Sequence, residues 1–354
     1  MDEVKDIALR AIAQTWSVKK SEMAETESGF DWLPGSHTVH VHISPDNREA
    51  TGKSIGPGRF RIWITTDYLR SVPIENEKFV RLVGTMSKSF CPTYSLVYPP
   101  LECWKQYYDG KPADMRFFSS AYVYEDTAGW IPNFLAQMAV LQPINAERQS
   151  ATPELFGGGE PAFANGKKNP TVSETLSLAE TIFVPEGKKA SNWIGSDEFE
   201  KFAEAKAKND VCFGFGDKNS MMLEIPFGAD TALVSFKTDE KHPQLGNGLL
   251  VATQIRSSQR FEDVCTETAW LNFFESTFWT DFPQLGCWHP QETSNGGANW
   301  AHSCFIPNAV FAPGLVENFA YWAIGRVQWA RRTIFPDLKD LTMTQILDQR
   351  FGKS

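Results

Sequence analysis

No stretch of this sequence comes near the roughly 18 uninterrupted apolar residues of a membrane-spanning helix. The richest windows, 134–144 and 319–330, are broken by Gln, Gly or Arg. The opening residues, MDEVKDIALRAIAQTW, mix both charges and lack the apolar run of a secretory leader, so a cytoplasmic protein without a membrane partner is expected. Basic residues are in deficit: 34 Lys and Arg stand against 43 Asp and Glu, a net charge of −9. A general electrostatic grip on nucleic acid is therefore not expected, because it needs a basic face to displace counterions. Cysteine is sparse, with Cys91, Cys103, Cys212, Cys265, Cys287 and Cys304 spread over 354 residues. That usage fits reduced thiols rather than a disulfide framework.

The usual catalytic signatures are missing as well. There is no G-x-S-x-G nucleophile elbow. Thr51–Ser54 reads TGKS, but a phosphate loop needs glycine where Asn47 stands, and the following Ile-Gly-Pro-Gly cannot start the required helix. Cys265 falls within an expected helix and Cys212 within an expected strand, so neither reads as a poised thiolate. No catalytic residue is assigned, and no cofactor is expected.

Aromatics, by contrast, are abundant: 26 Phe, 12 Trp and 8 Tyr make 13% of the chain. Most fall on alternating strand positions or helix stripes, where cores use them. The segment 149–173, QSATPELFGGGEPAFANGKKNPTVS, is rich in Gly and Pro, has no sustained apolar period, and reads as a linker or long surface loop. It divides the chain into a first domain at 1–150 and a second at 174–338, with 151–173 as the linker and 339–354 as a C-terminal tail.

The two parts carry the same order of elements. In the first, periodicity predicts a helix at 3–17, strands at 37–43 and 59–69, a helix at 75–90, strands at 93–98 and 115–124, and a helix at 129–148. In the second it predicts a helix at 198–208, strands at 211–216, 220–227, 232–237 and 247–256, a helix at 260–279, strands at 284–290 and 302–308, and a helix at 314–332. Matching starts differ by near-constant amounts: 247 − 59 = 188, 301 − 116 = 185 and 314 − 130 = 184. The expected fold is α+β: two tandem copies of an antiparallel-sheet domain with helices packed on one face.

Three groups of residues could carry chemistry or binding. His37, His40 and His42 lie on one strand, with His40 and His42 on the same face; Asp46 and Glu49 are near, but in a loop beyond Pro45. Cys287-Trp-His289 and His302-Ser-Cys304 form a mirrored pair. If their strands pair with Cys287 facing Cys304 and His289 facing His302, two thiols and two imidazoles share one sheet face, a donor set that suits zinc. The rectangle they would make is wide for one ion, and packed sheet residues are the plainer expectation. The last helix aligns Phe319, Trp322, Arg326 and Trp329 on one stripe, near Tyr321, Arg331 and Arg332; core packing is expected, with an aromatic and arginine partner surface as the alternative.

The run WLNFFESTFWTDFPQLGCWHP, then a strand, then FIPNAVFAPGLVENFAYWAIGRV, resembles the closing half of YbjN-like (type III secretion chaperone-like) domains. In these, a helix carrying an Asn leads into a strand with a small–aromatic pattern, a return strand and a C-terminal helix. Asn272 and Gly286 stand at the matching places. The first half departs from the pattern: its helix at 75–90 has no equivalent Asn, and 99–114 is an insertion. The resemblance implies a non-enzymatic protein that holds another protein, chaperone-like or adaptor-like, as a monomeric pseudo-dimer or a homodimer. The alternatives are a metal-binding protein or metal-dependent enzyme using Cys287, His289, His302 and Cys304, or a small-ligand binder using tryptophans beside Gly296 and Gly297.

Overall fold

The computed structural model describes residues 23–45, 60–73, 83–84, 93–97, 112–123, 127–164, 189–193, 198–199, 201, 213–227, 230–277 and 283–334. The expected helix at 3–17, most of those at 75–90 and 198–208, the loop at 51–54, Asp46, Glu49, Cys91, Cys103, Cys212 and the tail at 339–354 lie outside these residues.

The first repeat begins with strands β1 (Met23–Thr26) and β2 (Gly29–Trp32), followed by β3 (Val39–Pro45), β4 (Phe60–Val72), β5 (Ser95–Val97) and β6 (Ala113–Val123); it closes with helix α1 (Ile131–Gln149). Strand β7 (Glu160–Pro161) follows. The second repeat has β8 (Phe213–Gly216), β9 (Ser220–Phe227), β10 (Asp230–Lys237), β11 (Lys241–His242), β12 (Gly246–Ile255), helix α2 (Phe261–Thr277), β13 (Gly286–Glu292), β14 (Ala298–Pro307) and helix α3 (Leu315–Ile334).

The two sheets have the same strand order, all antiparallel: β1-β2-β3-β4-β6-β5 and β8-β9-β10-β12-β14-β13. The duplication read from spacing is thus a duplication of topology. Register sharpens it. Thr66 pairs with Phe117 and Ile64 with Ser119, while Thr253 pairs with His302 and Val251 with Cys304. In both sheets the threonine and its i−2 apolar neighbour are buried on the inner face. The offsets at these positions are 253 − 66 = 187 and 304 − 119 = 185.

Alternation explains the strands. Val39, Val41 and Ile43 face inward with Ile62, Ile64 and Thr66, while His40, His42, Trp63 and Thr65 face the other way. Helix α1 covers the inner face and is buried on almost every side, its buried polar side chains such as Gln142 and Glu147 being hydrogen-bonded. Its outer side meets the second repeat: Trp130, at its N-cap, packs edge-on against Phe319 at 5.4 Å and beside Trp322 at 5.8 Å. Helix α3 buries Val316, Phe319, Ala320, Ala323, Val327 and Ala330 at helical spacing and leaves Tyr321 48% exposed.

The repeats meet at their sheet edges. Ser120 and Gln284 exchange both backbone hydrogen bonds, at 3.1 and 2.7 Å. Ser95 Oγ donates to Gly286 O at 2.6 Å. The buried Arg61 donates from Nε to Ser120 Oγ at 3.0 Å and from Nη2 to the Gln284 side chain. Each edge is thereby shielded by the other. At Gly84, a Cβ would lie 3.0 to 3.2 Å from Cys265 atoms of α2, so the backbone of this residue packs closely on that helix. Buried residues of both repeats form one hydrophobic cluster, so the chain has a single fused core rather than two small ones. The described part of the expected linker is also tied down. Glu160–Pro161 pairs with β4, Ala162 N–H donates to Tyr68 O at 2.9 Å, and Ala164 N–H donates to Ser36 O at 2.8 Å. No helix among the described residues is long and apolar enough to cross a membrane.

Candidate functional site

The face of the first sheet turned away from α1 carries His40 and His42. His40 lies between two carboxylates: Nδ1 is 2.8 Å from Asp31 Oδ1 and Nε2 is 3.2 Å from Asp67 Oδ2. Both partners are carboxylate oxygens, an arrangement that favours the doubly protonated ring. Burial opposes this charge, but the hydrogen bonds and charges of Asp67 and Asp31 outweigh it and hold His40 above its ordinary pKa. Asp67 also accepts from Arg116 Nε at 2.7 Å. Burial would raise its carboxyl, but His40 and Arg116 overcome that and hold it below the usual range. The result is two cations facing two anions. Both nitrogens of His40 are held by carboxylates, so the ring itself is not placed to take a proton from a substrate.

Beside this row runs an aromatic one. The His42 ring meets Trp63 edge-on at 6.0 Å, and Trp63 meets Phe118 at 6.0 Å. The Arg61 guanidinium sits 4.9 Å from the Trp63 ring centre and 5.5 Å from that of Tyr122, within cation–π range. His37 lies apart. It precedes β3 and is fully buried, with Nδ1 donating to Asp67 O at 2.8 Å and Nε2 3.1 Å from Ser150 Oγ. Burial pushes its pKa down to about 4. Of the three histidines expected on this strand, His40 and His42 share a face and His37 does not.

The mirrored Cys/His pairs do not converge. The observed register sets Cys287 opposite Ser303, His289 opposite Ala301, His302 opposite Trp288 and Cys304 opposite Gly286. This is one residue away from the pairing that would have joined the four. Because strand side chains alternate, a one-residue slip moves a side chain to the other face. Cys287 and His289 therefore lie on one face, His302 and Cys304 on the other. His289 Nε2 is 2.8 Å from Ser303 Oγ. The Cys304 thiol donates to Leu285 O at 3.1 Å, and burial pushes it up to about 12, so it is no thiolate. No group of three or more His, Cys, Asp or Glu with metal-binding geometry occurs among the described residues.

The ligand-binding alternative around Gly296 and Gly297 meets a different obstacle. The strands run to Glu292 and resume at Ala298, so the hairpin loop is short. Its tryptophans are buried in the sheet: Trp288 Nε1 donates to Glu275 Oε2 at 2.8 Å and Trp300 Nε1 to Glu267 Oε2 at 2.6 Å.

Sequence reasoning missed the buried knot around Glu275. Glu275 and Arg326 form an ion pair at 3.0 Å, with both side chains under a tenth exposed, and Arg326 Nη2 also donates to Pro283 O at 2.6 Å. The signal was available: one acidic residue inside the apolar run LNFFESTF, and one arginine on an aromatic helix stripe. Asn272, which the resemblance singles out, is fixed to the adjoining strand. Its side chain donates to Trp288 O at 2.9 Å and accepts from Trp288 N–H at 2.7 Å, taking the place of a neighbouring strand. Gly286 is equally constrained, because a Cβ there would collide with Ser303 O.

Comparison with protein-family models, curated proteins and solved structures finds no match to this chain.

Proposed function

We propose that this chain is a non-enzymatic, chaperone-like or adaptor protein that binds another protein, working in the cytoplasm as a monomeric pseudo-dimer or a homodimer. One observation carries the reading: the face of the first sheet turned away from α1 presents His42, Trp63 and Thr65 beside the cluster of His40, Asp31, Asp67 and Arg116. A rigid sheet face of rings edged by paired charges suits contact with an extended or helical segment. The buried thiol of Cys304 and the doubly bonded ring of His40 support structural rather than catalytic roles for these groups. The resemblance to YbjN-like domains points the same way.

The test is affinity purification of the full chain against a variant carrying His42→Glu and Thr65→Lys, which alters the face without touching inner-face residues. The reading expects a saturable protein partner bound by the wild type and lost in the variant. It fails if the same partner binds both with equal affinity. Turnover of a small molecule abolished by one substitution would also end it, as would a stoichiometric metal lost in Cys287→Ala.

A further inference from the structure

The second repeat contains a cavity of about 20 Å³, counted as space open to water centres, between β12, β14 and α3. Its polar walls are Thr253, His302, Cys304 and Arg326, and its apolar walls include Phe319 and Trp322. His302 is 2% exposed, and its Nε2 has no hydrogen-bond partner among the described residues. A buried ring nitrogen in that condition has lost its water partner without a replacement, which is unfavourable. The ring is neutral, since burial and the charge of Arg326 hold it well below its ordinary pKa.

The first repeat shows how the same place is otherwise filled. Thr66 and Ser119 occupy the register positions of Thr253 and Cys304. There Gln142 reaches down from α1: Thr66 Oγ1 donates to Gln142 Oε1 at 3.0 Å, and Gln142 Nε2 donates to Ser119 Oγ at 3.2 Å. Opposite Thr66 stands Phe117, an apolar ring, where the second repeat has His302. In the second repeat α3 offers Ala323 at the cavity and turns Arg326 toward Glu275 and Pro283. Among the described residues, no side chain there does what Gln142 does.

We infer that this cavity is a dedicated water site, in which one ordered water hydrogen-bonds His302 Nε2 and the polar wall and takes the part that Gln142 plays in the first repeat. The space exceeds the roughly 10–15 Å³ that a single water needs, and the wall supplies the two to four polar partners such a water requires. With Arg326 neutralised by Glu275 and His302 uncharged, the site favours a neutral ligand over an anion. It lies directly behind the contact between the repeats, because Phe319 and Trp322 line it and also pack on Trp130.

The test is a high-resolution crystal structure of the full chain and of His302→Phe, the residue the first repeat uses. The inference expects a density peak about 2.7–3.2 Å from His302 Nε2 and its loss in the variant. Continuous packing without such a peak in the wild type overturns it. Should His302→Phe fail to fold, Thr253→Val serves: a weakened or lost peak supports the site, and an unchanged peak with no contact to His302 refutes it.

Discussion

The His242 side chain offers a stringent test of how burial and hydrogen bonding set protonation in this fold. It is 5% exposed on β11, with its ring 5.2 Å from that of Phe305. Nδ1 accepts from the N–H groups of Gln244 at 3.1 Å and Leu245 at 3.0 Å, fixing the tight turn into β12. Burial lowers its pKa from 6.5 to about 4. Since the folded value lies below the unfolded one, the unfolded chain binds the extra proton first. The contribution is fully present above about pH 6.5 and is lost as the pH falls toward 4. Linkage puts the loss at about 2 kcal/mol between pH 7 and pH 5, and about 3 kcal/mol once both states are protonated. His242→Asn keeps an acceptor that bonds backbone N–H groups two and three residues on but cannot titrate. Its lost stacking on Phe305 weakens the fold equally at every pH. Urea unfolding of both proteins at pH 7 and pH 5 should therefore show the wild type losing about 2 kcal/mol more than the variant. Identical pH dependence in the two would refute the reasoning.

The remaining predictions concern the polar groups that hold elements together. Asn272→Ala should cost about 2–4 kcal/mol in denaturant unfolding, because it strands the buried N–H and C=O of Trp288. Glu275→Gln should cost about 3–5 kcal/mol by leaving Arg326 buried without its counter-charge, while the double variant Glu275→Leu/Arg326→Met should recover most of that loss; equal losses would refute the pairing. Asp31→Asn should lower the His40 pKa in an NMR titration, since Asp31 helps to raise it. The wild-type contribution of His40 is present below about pH 6.5 and fades as the pH rises through its raised value, opposite in sign to that of His242.

Much of the architecture was legible because apolar periodicity reports which side of an element is covered. SMMLEIPF, the long strands 60–72 and 246–255, and the three described helices stand within a few residues of their expected places. β1 and β2 went unread because four-residue strands such as MAET carry too little alternation to register. The pairing of β7 with β4 was hidden in a Gly- and Pro-rich segment, since a two-residue strand is made by its partner and not by its own pattern. The knot of Glu275, Arg326 and Trp288 was hidden for the same kind of reason, because it joins residues up to 51 positions apart.

The linear order of residues was enough to determine the α+β class, the duplication and the burial of most aromatic rings among the described residues, because each follows from local spacing. Tertiary structure alone decided what the chemistry-bearing residues do. A single residue of strand register separated Cys287 and His289 from His302 and Cys304, and spacing within one strand cannot report its alignment with another. The same holds for the raised pKa of His40, which arises because β2 and β4 bring Asp31 and Asp67 to its two nitrogens. It holds also for the fused core, where edge meets edge and Trp130 packs against the opposite repeat.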